Sequence, residues 1–343
     1  MTFKQSKQRA PLFYIVSVLL VVAPLVFWYL DIPFPANVLY LCLLYGIMGM
    51  AWNFLAGYAG QLSLGHATFF GVGAYTTIIL TLQYSTSPWL GIPLGGLFAG
   101  VTGLALGIPF FRLRSHWFTL ATVASAEVAT LIFTVWSLVG GSAGLQLPLL
   151  PKELSWYYLQ YAGPYVYVFL ALGVLGVETV ILRWLVNSKV GFYLMAIRED
   201  EDTAMAMGIN PFKYKMLAMF VSAFFTGIGG GLYLVRFRFI DPYTAFDFVS
   251  VSTYIVMGSI LGGIYTFIGP IVGSFIFNPI TEYVRISVVS RFPRYFGLHV
   301  FVLGIILLAI GLAIPEGLMG WLENRGYGRK KREAEKEVVG IER

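Results

Sequence analysis

Eighty consecutive residues, Ile32 to Phe111, contain no Asp, Glu, Lys or Arg. Soluble domains carry about 25% charged residues and do not run that far without one. A bilayer is crossed by about 20 apolar residues in a helix, so this run alone holds several spans. The blocks do not alternate apolar and polar residues with a period of two, which argues against barrel strands. Helices remain, because lipid satisfies no backbone polar group. Over the 343 residues only 12% are charged and 58% are hydrophobic. The formal charge of +6 therefore reads as a topology signal and not as a nucleic-acid footprint. Cys42, the single cysteine, lies in an apolar run and gives no disulfide framework or thiolate cluster.

The expected fold is an all-α integral membrane bundle of about ten transmembrane helices. The candidate spans are roughly Pro11–Leu30, Val38–Ala56, Ser63–Leu82, Trp89–Phe111, Trp117–Leu138, Pro164–Leu182, Met216–Val235, Val249–Leu261, Phe267–Val289 and Leu298–Ile314. The eighth is short for a crossing and is expected to be bent or partial. Lys4, Lys7 and Arg9 precede the first span, and no small-residue cleavage site follows it, so it reads as retained. Positive-inside counting places both termini in the cytoplasm, with the Gly57–Gln61 and Arg112–Arg114 turns and the charged tail. Arg236, Arg238, Arg285, Arg291 and Arg294 then fall outside, against the rule.

One polar interruption is too ordered for a slack linker. Between Arg183 and Lys215, nine of 33 residues are charged. Leu194 to Met207 is expected as a short amphipathic helix with Arg198, Glu199, Asp200, Glu201 and Asp202 in its first half. Gly208 stands where a left-handed stop belongs, and Asn210-Pro211 supplies an N-cap and first-turn proline for the next helix. Leu194, Ile197, Ala204 and Gly208 form an expected apolar stripe along this elbow.

Two of the glycine-rich stretches stand out among 38 glycines. Residues 57–73 put Gly, Gln61, Ser63 and His66 at membrane depth. Residues 258–273 place the Gly262-Gly263 break and Pro270 between short apolar pieces. Interrupted segments in the two halves of a chain point to a transport pathway. Glu127 sits mid-span, where a carboxylate costs about 3 kcal/mol on insertion scales. It reads either as a hydrogen-bonded structural residue or as a pathway residue. Glu178 is expected to snorkel to the cytoplasmic end of its span, and Asp241 and Asp247 to flank spans in solvent. His66 is expected in a hydrogen-bonded packing role.

The chain has no phosphate-binding G-x-x-x-x-G-K-[ST] loop, no H-E-x-x-H helix and no G-x-S-x-G elbow. His66, His116 and His299 are far apart and lack partners at metal-ligand spacing. No enzymatic site and no cofactor is expected in this chain. Scarce midplane carboxylates argue against a proton- or sodium-coupled carrier, so energy would come from elsewhere.

The run Gly57-Tyr-Ala-Gly-Gln-Leu-Ser-Leu-Gly-His-Ala-Thr-Phe-Phe-Gly-Val-Gly-Ala-Tyr75 resembles the signature of branched-chain amino acid ABC transporter permeases of LivM type. Arg112-Leu-Arg-Ser-His-Trp-Phe118 resembles the family's arginine turn, with Glu127 matching its in-span acid. Ala196-Ile-Arg-Glu-Asp-Glu201, Ala204, Ala206, Gly208 and Tyr214-Lys215 resemble its cytoplasmic loop. Gly262-Gly263, Gly269-Pro270, Gly273 and Pro315-Glu-Gly-Leu318 resemble its last third. The resemblance covers about residues 12–322. It implies a type II ABC importer bundle, a permease domain over 1–322 with a coupling loop at about 183–215, and a cytoplasmic tail at 323–343.

The same resemblance implies a homologous second permease, two cytoplasmic ATPase subunits that bind the ATP, and an extracytoplasmic substrate-binding protein. Ile197, Arg198, Glu199, Glu201, Ala204 and Gly208 would contact the ATPase as a degenerate coupling helix. Gln61, Ser63, His66, Glu127, Gly262 and Gly263 would be candidates for the translocation path. Urea or short-amide permeases of the same family are the alternative. An ATP-independent channel or carrier and an intramembrane enzyme are the other classes.

Overall fold

In the computed structural model the described residues are 33–113, 115–149, 151–291, 297–313 and 317–320. The expected first span, Pro11–Leu30, and the tail at 323–343 lie outside them, as do Arg114 and Arg294 of the arginines counted above. The chain is an all-α multi-pass bundle. Helix α1 (Pro33–Asn53) continues into a π-helical turn, Phe54–Tyr58. Then come α2 (His66–Tyr84), α3 (Pro88–Phe110), α4 (Ser115–Val135) and α5 (Tyr165–Val186). The elbow holds α6 (Lys189–Glu199) and α7 (Glu201–Ala206). Helices α8 (Pro211–Phe237), α9 (Tyr254–Gly262), α10 (Gly269–Arg291) and α11 (Leu298–Ala313) complete the order.

Six helical stretches among the described residues are long and apolar enough to cross a membrane: Ala36–Tyr58, Pro88–Phe110, His116–Val135, Tyr165–Val186, Pro211–Phe237 and Pro242–Gly262. The last starts earlier than the expected eighth span, and it is bent as expected. Asp241 caps the turn Pro242–Ala245, and Asp247, in extended backbone, caps the π-helical stretch Phe248–Thr253 that runs into α9, so the 21-residue stretch is interrupted at Phe246–Asp247. Both aspartates are N-caps at that start, with Asp241 accepting from the Thr244 N–H and Asp247 from the Ser250 N–H.

Helices α2, α3 and α8 form the tightest part of the core, and small residues make that possible. A Cβ on Gly73 would lie 2.1 Å from the Gly227 carbonyl oxygen, and one on Gly95 would lie 2.5 Å from that of Gly73. No hydrophobic force drives helices together in lipid, so close backbone approach and dispersion replace it. Trp52, Tyr40, Tyr75 and Tyr167 fill the wider spaces and are fully buried.

The bundle has two distinct ends. At the far end, Phe239–Ile240 pairs antiparallel with Leu145–Gln146. There Arg236 donates to the Asn37 side chain at 2.5 Å and stacks over Tyr167, while Arg238 donates to the Tyr161 carbonyl. These two arginines, which break the charge rule, are clamped by local partners at the mouths of α1, α5 and α8. Arg285 is likewise held by Glu282, three residues back on α10. At the other end sit the elbow, the Gly57–Gln61 turn and the starts of α2 and α4.

Candidate coupling site and the signature turn

The elbow is two helices, not the single segment expected over Leu194–Met207. Asp200 breaks it. Its backbone is extended (φ −157°, ψ 115°), and its carboxylate accepts from the Thr203 N–H at 2.7 Å, capping α7. That bond holds the Asp200 carboxyl below its usual value. Gly208 follows with φ +82°, the left-handed stop expected there, and Asn210 caps α8 by accepting from the Lys213 N–H.

The apolar stripe faces inward. Leu194, Ile197 and Ala204 are buried in this chain's own body, whereas Gly208 is exposed, with open space where a Cβ would stand. The outward surface of the elbow includes Glu199, Asp200, Glu201, Asp202, Met205 and Met207. The reason is geometric. Helix α7 ends at Ala206, so Gly208 lies past its last turn and leaves the side on which Leu194, Ile197 and Ala204 are buried.

Arg198 also turns inward. Its Nη1 donates to the Gly57 carbonyl at 2.8 Å, its Nη2 meets Glu199 at 2.6 Å, and its guanidinium lies 5.1 Å from the Tyr265 ring centre. Glu201 reaches Lys215, the buried base of α8, at 2.5 Å. The elbow is thus fastened to α1 through α6 and to α8 through α7.

The signature turn is a packing hub. Trp52 Nε1 donates to the Ser63 carbonyl, the Leu64 N–H to Thr122 Oγ1, and the Ala67 N–H to Ser252 Oγ. His66 is fully buried with Nε2 2.8 Å from Ser222 Oγ. Gln61 is half-buried, and its side chain donates to the Ala59 carbonyl. Gly262 presses on Gly269: a Cβ there would lie 1.7 Å from the Gly269 carbonyl oxygen. Gly263 turns the chain at φ +118°. Asn53 Nδ2 on α1 donates to the Thr266 carbonyl of this second break.

The six pathway candidates therefore do not converge. Ser63, His66, Gly262 and Gly263 pack inside the bundle, Gln61 is half-buried, and Glu127 alone points outward. Glu127 shares the exposed face of α4 with Leu120, Ala124, Leu131 and Val135, spaced by helical turns. Glu178 corrects another expectation. It does not snorkel: it is fully buried, and neither carboxylate oxygen has a hydrogen-bond partner.

Sequence reasoning missed Thr122, Ser125 and Ser222, which receive the signature turn, and Tyr265, which receives Arg198. Thr119, Thr122 and Ser125 do carry a signal. They repeat every third residue, and Thr119 and Thr122 bond the backbone of residues 62 and 64.

The family described as the permease component of branched-chain amino acid transport systems matches residues 34–311. The high-affinity branched-chain amino acid permease protein LivM of Escherichia coli (strain K12) is 29% identical over 244 residues, 65% of this chain and 57% of that protein. A probable permease LivH of Methanocaldococcus jannaschii is 25% identical over 265 residues, 73% of this chain and 80% of that protein. A nucleoside ABC transporter permease, NupC of Lactococcus lactis, is 21% identical over 281 residues, 74% of this chain and 85% of that protein. The chain spans 57% and 56% of the length of the LivM relatives from Escherichia coli and Salmonella typhimurium. No solved structure matches it. The match over 34–311 covers most of the bundle, both glycine breaks and the elbow, and by it the chain belongs to the family of branched-chain amino acid transport permeases.

Proposed function

We propose that this chain is a permease subunit of an ATP-driven importer that carries branched-chain or related neutral amino acids across the cytoplasmic membrane. The observation that carries the reading is the elbow. It is an ordered, acidic two-helix segment whose Glu199, Asp202, Met205 and Met207 stand clear of the bundle, in a chain without a phosphate-binding loop. Such a surface suits an ATPase subunit docked from the cytoplasm. The contact would be made by Glu199, Glu201 and Gly208 with the two methionines, while Ile197, Arg198 and Ala204 support them from behind.

A second permease follows from α4. An exposed Glu127 in the middle of a membrane helix is costly against lipid, and a homologous subunit covering that face would shelter it and form the translocation path between the two. Two ATPases and an extracytoplasmic binding protein complete the assembly, with both termini of this chain and the elbow in the cytoplasm. Residues 1–322 form the permease domain and 323–343 its charged tail. ATP binding closes the ATPase pair, the elbows move together, and access alternates.

The test is uptake of labelled leucine, isoleucine and valine by proteoliposomes holding the assembled transporter with its binding protein. Uptake should require ATP on the ATPase side. Uptake by this chain without any ATPase would sink the reading. Preferential uptake of urea, short amides or nucleosides would keep the transporter class and replace the substrate.

A further inference from the structure

Three segments of the chain meet at Arg198. Gly57 lies in the last turn of the π-helical stretch that ends α1, where carbonyls run out of donors within the helix. Arg198 Nη1 supplies that donor at 2.8 Å, and a positive charge there also suits the negative end of the helix dipole. The Arg198 stem lies along Gly60, whose φ of +70° and lack of a Cβ leave it room: a Cβ would sit 2.8 Å from Arg198 Cγ. Tyr265, between Gly263 and Gly269, takes the guanidinium on its ring, and Glu199 takes the remaining edge. The Tyr265 loop is joined to α1 separately by the bond from Asn53 to Thr266. The rest of the attachment of α6 to the bundle includes the burial of Leu194 and Ile197, which is non-directional and resists sliding weakly.

We propose that Arg198 is a positioning residue for transport, fastening α6 to the Gly57 carbonyl and the Tyr265 ring so that the elbow and the adjoining mouth of the bundle move as one body. The inference rests on the permease function proposed above and deepens it. Helix α7 is tied through Glu201 to Lys215 of α8, and α6 also meets α8 where the Tyr193 and Tyr214 rings lie 5.0 Å apart, so Arg198 adds the link from this elbow to the end of α1. Movement of the elbow would thus be delivered to both glycine breaks at once.

The experiment uses the whole transporter with Arg198→Ala, Arg198→Lys and Tyr265→Leu. Arg198→Ala should lower the substrate carried per ATP hydrolysed by about tenfold, the size expected for losing one charged hydrogen bond. Arg198→Lys should recover part of that loss, since an ammonium reaches one acceptor but not the carbonyl, carboxylate and ring together. Tyr265→Leu should lose less, and Tyr265→Phe should restore it.

Spin labels at Leu62→Cys and Ala196→Cys, in a Cys42→Ser background, report the tie directly. With Arg198 present their separation should be the same with and without ATP; with Arg198→Ala it should change on ATP binding. Wild-type substrate carried per ATP in Arg198→Ala, or an ATP-dependent separation with Arg198 intact, would overturn the proposal. If Arg198→Ala does not assemble, the same two readouts on Arg198→Lys and Tyr265→Leu decide it. Loss of ATP-driven uptake in the unsubstituted transporter is a different failure, which removes the permease function and not merely the tie.

Discussion

Helices α8 and α4 are both apolar enough to cross a membrane, yet 78% of the α8 crossing is buried inside the chain and only 22% of the α4 crossing is. The difference lies in glycine, not in hydrophobicity. Helix α8 carries Gly227, Gly229, Gly230 and Gly231 with Ser222, Ala223 and Thr226, and α2 and α3 close onto it. Helix α4 has no glycine and turns Leu120, Glu127, Leu131 and Val135 outward. Apolarity decides that a helix enters the membrane. Side-chain volume decides which of its faces finds a neighbour within the same chain.

The largest effect should come from filling the α8 interface. Gly230→Leu puts a side chain where a Cβ would already lie 2.0 Å from the Phe70 carbonyl oxygen, and overpacking against backbone should cost about 3 kcal/mol. Thermal unfolding of the purified chain would measure it, and an unchanged midpoint would break the contrast between the two helices. Glu127→Leu should act the opposite way. The isolated subunit should unfold no earlier, while co-purification with the second permease and uptake should fall. Normal assembly and uptake would mean that the α4 face is not an interface.

The elbow gives two smaller effects. In the Glu201–Lys215 pair the lysine is nearly buried and the glutamate side chain is 48% exposed. Glu201→Gln leaves a buried cation without its carboxylate, whereas Lys215→Met leaves a carboxylate that water can reach. Glu201→Gln should therefore be the more destabilising, by about 1 kcal/mol. Equal effects in denaturant titration would show that the pair is solvated at both ends.

The smallest effect is a dependence on pH. The Asp200 carboxyl lies below its ordinary value because it accepts from Thr203, so it stabilises the fold above the unfolded carboxyl range. That contribution is lost as pH falls through the lowered folded value. Asp200→Asn keeps the cap and should remove this acid-side loss, which amide exchange across α7 at low pH would reveal.

Much of this was legible in the sequence, for physical reasons that differ from place to place. The charge-free run of residues 32–111 marks spans because the membrane admits few alternatives. The caps at Asn210, Pro211 and Gly208 are local chemistry and fall where expected. The Leu194–Met207 segment misled because one Asp can serve as a surface charge within a helix or as the cap that starts another, and spacing does not distinguish them. Glu178 misled because its depth depends on where α1 packs, which is a tertiary matter. The inward turn of Arg198 was hidden for the same reason: its partners, the Gly57 carbonyl and the Tyr265 ring, are 141 and 67 positions away.

The π-helical turn at Phe54–Tyr58 sets the phase of this whole end of the molecule. A π turn is an α-helix with one residue too many, and each residue of an α-helix turns the chain by about 100°. The surplus residue therefore rotates everything beyond it, so the chain leaves α1 in a different direction from the one the first turns of that helix set. Gly57 presents its carbonyl to Arg198, and the signature run starts toward Trp52 and Thr122, from that rotated exit. In this family member a single additional position in a helix acts as the key of a lock: shortening the turn by one residue would leave every other side chain chemically intact and aim the signature run at the wrong neighbours.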